Sequence, residues 1–160
     1  MTLDADVARL ARTRPFSLMP REAVQLVAFS CVKQRLRAGE PLFSAGDAGD
    51  CGYFVQAGAI LLEDKRASPE TARRTTAGAL IGESALYAPV LRRVDALAVE
   101  DTVLTRIPRE TFRRVLAEFP EAAEKVRAAL AERTRHLVDG LDAARVRSID
   151  TAIRRPQAPP

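Results

Sequence analysis

Apolar positions follow three rhythms along this chain of 160 residues. Near the start they recur at helical spacing, with Val7, Leu10 and Ala11 on one face of a helix predicted from Asp4 to Arg12. A second helix is predicted from Pro20, whose fixed φ suits a first helical position, with Ala23, Val24, Val27 and Ala28 on its apolar side. Pro15 and Pro20 bracket the break between the two.

From Cys31 the rhythm shortens to segments of strand character: Val32 to Arg37, Leu42–Phe43, Tyr53–Val55, Ala59–Leu62, Arg73–Thr76, Val94–Val99 and Val103 to Ile107. Turn residues separate them at short intervals, the pattern of a small antiparallel barrel or sandwich. Seven of the eight glycines lie between Gly39 and Gly82, and glycine supplies the positive-φ turns such a region needs. Helical spacing returns at Pro108, predicted as a first helical residue, with Phe112, Val115, Leu116 and Phe119 as a stripe. After Pro120 a longer helix is predicted from about Glu121 to Arg147, carrying Val126, Leu130, Leu137 and Leu141. Arg154 to Pro160 holds three prolines and is predicted to be disordered. The layout is a helical flank over 1–30, a β-region over 31–107, C-terminal helices over 108–148 and a tail over 149–160.

Composition narrows the function classes. The net charge of +4 and pI near 9.6 raise the question of nucleic acid. Arginines and acids are nevertheless interleaved, as in REAVQL and PRETFRRVLAEF, which reads as solvated helix faces, and no base-reading motif is present. No nucleic-acid partner is expected. Neither is a membrane, because no apolar run approaches the roughly 20 residues that span one. Met1 to Phe16 carries Asp4 and Asp6 and has no continuous apolar stretch, so it is not a secretory signal and a cytoplasmic location is expected. The two cysteines, Cys31 and Cys51, and the single histidine, His136, cannot assemble the three or four ligands that hold zinc. The thiols are expected to be reduced. A hydrolase needs a positioned nucleophile with a base, or a metal, and no such set is evident, so no enzyme and no cofactor are expected.

One stretch carries a more specific signal. Gly39-Glu40-Pro41-Leu42-Phe43, Gly46-Asp47, Asp50, Tyr53-Phe54-Val55 and Gly58 occur in order, followed by Ile81-Gly82-Glu83-Ser84-Ala85-Leu86 and by Arg92, nine places after Glu83. The ordered set resembles the cyclic-nucleotide-binding domain family, and Ile81 to Leu86 resembles its phosphate-binding cassette. The resemblance covers most of the chain. It implies an α+β fold: an antiparallel β-roll of the double-stranded β-helix, jelly-roll-like type, with two helices before it and two after. It also implies a regulatory module whose ligand is cyclic AMP or cyclic GMP.

The chemistry of such a cassette follows from one negative charge on a ring phosphate. Gly82 permits close backbone approach, and a short helix from Glu83 aims N–H groups at the anion. By the resemblance, Ser84 and Ala85 donate backbone N–H, Glu83 accepts from the ribose 2′-hydroxyl, and Arg92 holds the phosphate with a planar charged fork. Arg93 contributes its backbone, or its side chain if the loop register differs by one. The bland competitors are a turn glycine at Gly82, a helix-capping charge at Glu83 and a solvent-facing arginine at Arg92.

The sequence departs from the family pattern after the arginine. Where the family has proline before it, then a small residue and Ala-Thr or Ala-Ser after it, this chain reads Leu91-Arg92-Arg93-Val94-Asp95, so that a carboxylate at Asp95 replaces the hydroxyl that would help bind phosphate. Two like charges about 4 Å apart repel by about 1 kcal/mol in water, and one lost charge-assisted hydrogen bond removes about 1.5–3 kcal/mol. Two arrangements are open. Either Asp95 pairs with Arg92 or Arg93 and fills the phosphate position, leaving a degenerate scaffold for protein partners, or it points away and the doubled arginine keeps the site positive.

In the family the last helix lids the ligand or pairs with a second subunit. Val126, Leu130, Arg133, Leu137 and Gly140–Leu141 follow a 4-3-4-3 rhythm that suits a homodimer seam, although packing on the chain's own roll explains the stripe equally. Family members that regulate transcription carry a helix-turn-helix after that helix, and too few residues follow Arg147 for one. Output is therefore expected through an unidentified downstream protein or through sequestering the ligand.

Overall fold

The computed structural model describes residues 2–153 and divides into two units, residues 1–123 and residues from 124 onward. The first unit opens with α1 (Leu3–Leu10), a short 3-10 turn at Phe16–Leu18 and α2 (Arg21–Phe29). Each helix buries the face its spacing predicts: Val7 and Leu10 on α1, Ala23, Val24 and Val27 on α2.

Ten strands follow, arranged as a roll: β1 (Val32–Leu36), β2 (Pro41–Phe43), β3 (Ala48–Gly49), β4 (Cys51–Ala57), β5 (Ala59–Glu63), β6 (Arg73–Thr76), β7 (Leu80–Ile81), β8 (Val90–Leu91), β9 (Asp95–Ala98) and β10 (Thr102–Pro108). One sheet has the order β1-β10-β4-β7, a second β2-β9-β5-β6, and β3 pairs with β8. All the pairings are antiparallel. Leu36, Val55, Ile60, Ala96, Ala98 and Leu104 meet between the two four-stranded sheets. Burial of each large aliphatic among them is worth about 1.5–3 kcal/mol.

Strand β4 is buried from Cys51 to Gln56. Alternate residues of a strand point to opposite faces, so Cys51, Tyr53 and Val55 join the roll's interior while the intervening residues face the helical side. A Cβ at Gly52 would meet Leu86 at 3.3 Å, so glycine lets the short helix α3 (Ser84–Tyr87) lie directly on β4.

After the roll, α4 (Arg109–Glu118) buries Thr111, Phe112 and Val115. The Phe112 ring meets Phe16 and Tyr87 edge-on, at centroid distances of 5.7 and 5.9 Å, joining the N-terminal flank, α3 and α4. Pro20 and Pro108 stand one place before the helices they were expected to begin, with extended ψ of 156° and 140°. The fold is therefore α+β, a β-roll with two helices before it and two after.

The second unit is the greater part of α5 (Pro120–Ile153). The helix runs past residue 148, where the tail was expected to begin. Nothing between Glu121 and Ile153 stops it: Gly140 is the one weak position, at about 1 kcal/mol, and the next proline is Pro156. Residues 154–160 of the expected tail lie outside the described residues.

Candidate functional site

Leu80–Ile81 form β7 because Tyr53 and Phe54 of β4 pair with them. The chain then turns at Gly82, φ +70°, a conformation costing a side-chain-bearing residue about 1–2 kcal/mol. Glu83 stands at the N-cap position of α3 without a side-chain cap bond, and Ala85 and Leu86 of that helix are fully buried. The Ala85 amide closes the turn by donating to the Gly82 carbonyl at 3.1 Å, and the Leu86 amide donates to Glu83 at 2.9 Å. Ser84 is exposed at the start of α3. The Tyr87 hydroxyl donates to Glu83 Oε1 at 2.7 Å, across one helical turn.

Arg92 reaches the same place from the other side. Its backbone is pinned to the loop between β2 and β3: the Arg92 amide donates to the Asp47 carbonyl at 2.8 Å, and the Gly46 amide donates to the Arg92 carbonyl at 2.8 Å. The side chain turns inward and is 7% exposed, whereas Arg93 is exposed. Nη2 donates to the Cys51 carbonyl at 2.7 Å. The guanidinium carbon lies 4.4 Å from the Phe43 ring centroid and 5.7 Å from that of Tyr53, and the two rings stack at 6.1 Å. Burial, with the Cys51 thiol second, pushes the Tyr53 phenol up to about 12, so the ring is neutral beside the cation.

Nη1 is buried without a hydrogen-bond partner and sits where a Cβ on Gly82 would be, 2.2 Å away. Magnitudes show what this geometry asks for. Burying a guanidinium costs several kcal/mol. One charge-assisted hydrogen bond returns about 1.5–3 kcal/mol, and ring contacts about 0.5–2 kcal/mol. The remaining donor, aimed at the Gly82 turn, fits a small anion.

Asp95 takes the second of the two arrangements open to it. Oδ1 accepts from the Ala45 amide at 2.7 Å, and Oδ2 pairs with Lys65 Nζ at 2.7 Å. The Lys65 hydrogen bond first, then the Ala45 amide, holds the carboxyl below its usual range. The carboxylate thus fastens the loop that pins the Arg92 backbone.

The structure brings together Gly82, Glu83, Ser84, Ala85 and Arg92, and leaves Arg93 outside the buried set. Reading the sequence missed Phe43, Tyr53 and Tyr87. The first two were visible as aromatics on short strands, but nothing local pairs them with an arginine 49 and 39 positions on. Tyr87 was legible in principle, because positions four apart share a helix face. Among the described residues no three His, Cys, Asp or Glu side chains are grouped to hold a metal, and no helix is long and apolar enough to cross a membrane. Both cysteines are free thiols.

Similarity to known proteins agrees with this geometry. The model of the cyclic nucleotide-binding domain matches residues 33–119, a span that includes the Gly82 turn, Arg92 and α4. The cyclic AMP receptor protein of Thermus thermophilus is 34% identical over 114 residues, 68% of this chain and 52% of the receptor, so the chain spans about half of that relative. The N-terminal domain of a transcriptional regulator from Streptomyces coelicolor superimposes with a TM-score of 0.73 at 28% identity, covering 83% of this chain and 94% of that one. A cyclic nucleotide-binding-like protein from Brucella abortus gives a TM-score of 0.64 at 35% identity, covering 71% and 99%. A β-roll, a turn-helix that faces a buried arginine and a family match across both place this chain in the cyclic nucleotide-binding domain family.

Proposed function

We propose that this chain is a non-enzymatic sensor that takes a cyclic nucleotide, cyclic AMP or cyclic GMP, at the Gly82 turn. The observation that carries the reading is Nη1 of Arg92, buried, unpartnered and pointed at a backbone that only glycine leaves open. The ring phosphate would lie between Arg92 and the Ser84 amide, and the ribose 2′-hydroxyl against Glu83, beside or in place of Tyr87. Ala85 supports the turn with its amide and carries its donor role only if that turn loosens. Arg93 adds positive charge at the rim. Asp95 is no obstacle, since its carboxylate is held by Ala45 and Lys65.

This reading goes with a cytoplasmic, stand-alone regulator that acts on a downstream protein. It also goes with a homodimer through α5, where Leu137, Val138 and Leu141 are 63%, 51% and 68% exposed.

Calorimetric titration with cyclic AMP and cyclic GMP tests it. Saturable heat that disappears in Arg92→Ala is the expected result. No heat and no thermal shift at millimolar nucleotide, where a related receptor responds, would leave the β-roll as a scaffold for protein partners.

A further inference from the structure

The sequence interleaves basic and acidic residues along α4, but folding sorts them in space. A cleft of about 650 Å³ lies beside the start of that helix. Four arginines line it, Arg106 from β10 and Arg109, Arg113 and Arg114 from α4, against two acids, Asp50 and Glu110. The formal excess is two positive charges, all within the first unit of the chain.

Pairing inside the chain does not remove that excess. Arg106 Nη2 meets Asp50 Oδ2 at 3.0 Å, which neutralises one cation. Arg109 Nη1 donates to three backbone carbonyls at 2.9, 3.2 and 3.1 Å, and carbonyls carry no net charge. Arg113 and Arg114 are exposed and have no ion pair among the described residues, although Glu110 stands three and four places before them. Pairs at those spacings are ordinarily favourable. Because α4 buries Thr111, Phe112 and Val115, its outward face near the cleft is left basic.

We propose that this cleft docks an acidic segment of a partner protein, one whose carboxylates alternate with uncharged residues. Arginine presents a planar fork that matches a carboxylate. Alternate side chains of an extended segment stand about 7 Å apart, close to the roughly 6 Å between Arg109 and Arg113 along the helix. Asp50 and Glu110 stand among the arginines, so a uniformly charged phosphate backbone would meet both. A peptide offers neutral positions there instead. A second copy of this chain is a poor fit, because each copy carries a net charge of +4 and like charges repel. Its Asp4, Asp6 and Glu100 are also already paired, with Arg21, Lys33 and Arg74. The cleft gives the downstream partner a chemistry, and its charge does not depend on a bound nucleotide.

The test is fluorescence anisotropy with the full chain and a labelled peptide that alternates glutamate with serine. The lysine counterpart of that peptide and a short oligodeoxythymidine are the controls for charge and for nucleic acid. Wild type should bind the glutamate peptide. Raising salt from about 50 to 300 mM should weaken binding about fivefold or more, since exposed charges are screened. Arg113→Glu with Arg114→Glu should weaken it at least about tenfold, by placing like charges against the peptide. Arg35→Glu with Arg73→Glu makes the same change in net charge at exposed positions on β1 and β6, outside the cleft. That variant should stay within about twofold of wild type, the loss of long-range attraction alone.

The proposal is overturned if wild type does not bind the glutamate peptide, binds the lysine peptide equally well, or loses binding alike in both double variants. It is also overturned if the oligonucleotide binds more tightly than the peptide and loses that binding in R113E/R114E, which would make the cleft a nucleic-acid surface. Should R113E/R114E melt well below wild type, Arg113→Gln with Arg114→Gln repeats the comparison without reversing charge, with about a threefold loss expected. These measurements need no nucleotide, so the cyclic-nucleotide reading can fail without deciding them.

Discussion

Nη1 of Arg92 lies 2.2 Å from the point where a Cβ on Gly82 would stand, so the arginine and the glycine share one space. Neither can be changed without the other responding.

Gly82→Ala should therefore fail twice. The positive φ costs about 1–2 kcal/mol in any L-residue, and the methyl group displaces a guanidinium held by Cys51 and two rings. We expect a fall in Tm, and cyclic-nucleotide affinity reduced more than about tenfold in calorimetry. Unchanged affinity would mean that Arg92 is not part of the site.

Arg92→Met separates binding from stability. A buried cation with one unpartnered donor is a poor stabiliser, and an apolar replacement of similar volume is often neutral or better. The expected Tm without nucleotide equals that of wild type or exceeds it by up to about 5 °C, given roughly 2–8 °C per kcal/mol. Binding should fall at least about tenfold, the loss of one charge-assisted hydrogen bond. A large drop in Tm would show that the arginine is a structural pin instead.

Asp95 offers a graded pair of substitutions. Asn keeps an acceptor for the Ala45 amide and should hold nucleotide affinity within about twofold, whereas Ala frees the loop and should weaken binding by about fivefold, close to one neutral hydrogen bond. Because the folded carboxyl titrates below its usual range, its contribution is complete above the unfolded value of about 4. It is lost as pH falls through the folded value. Wild-type and D95A melting curves should converge below about pH 4, relative to their separation at pH 7. A constant separation would argue against the Asp95 contacts.

Burial pushes the Cys31 thiol up to about 12 and raises that of Cys51. Thiolate is the reactive form, so both should label with a disulfide reagent at pH 8 at under about a tenth of the rate in denaturant. Rapid labelling of the folded chain would contradict this.

Leu137→Glu with Leu141→Glu addresses assembly. If α5 pairs two copies, sedimentation at micromolar concentration should show a wild-type dimer and a monomeric double variant. A wild-type monomer at every concentration would remove the dimer.

Much of the architecture was legible from spacing. The longer strands fell where alternation and turn residues predicted, because each presents enough residues to the core for the pattern to register. The pairs Ala48–Gly49, Leu80–Ile81 and Val90–Leu91 did not, since two residues carry no periodicity and their pairing is imposed by neighbours. At the site, Gly82, Glu83 and Arg92 were legible because their order along the chain carries the resemblance. The fate of Asp95 was not, because its partners Ala45 and Lys65 come from two loops that only folding brings together.

Strand β4 meets the roll's interior with one face and α3 with the other. It behaves as an anvil: it has no free side into which to recoil. A methyl group on Gly52, 3.3 Å from Leu86, would therefore have to be taken up by α3 and not by the strand.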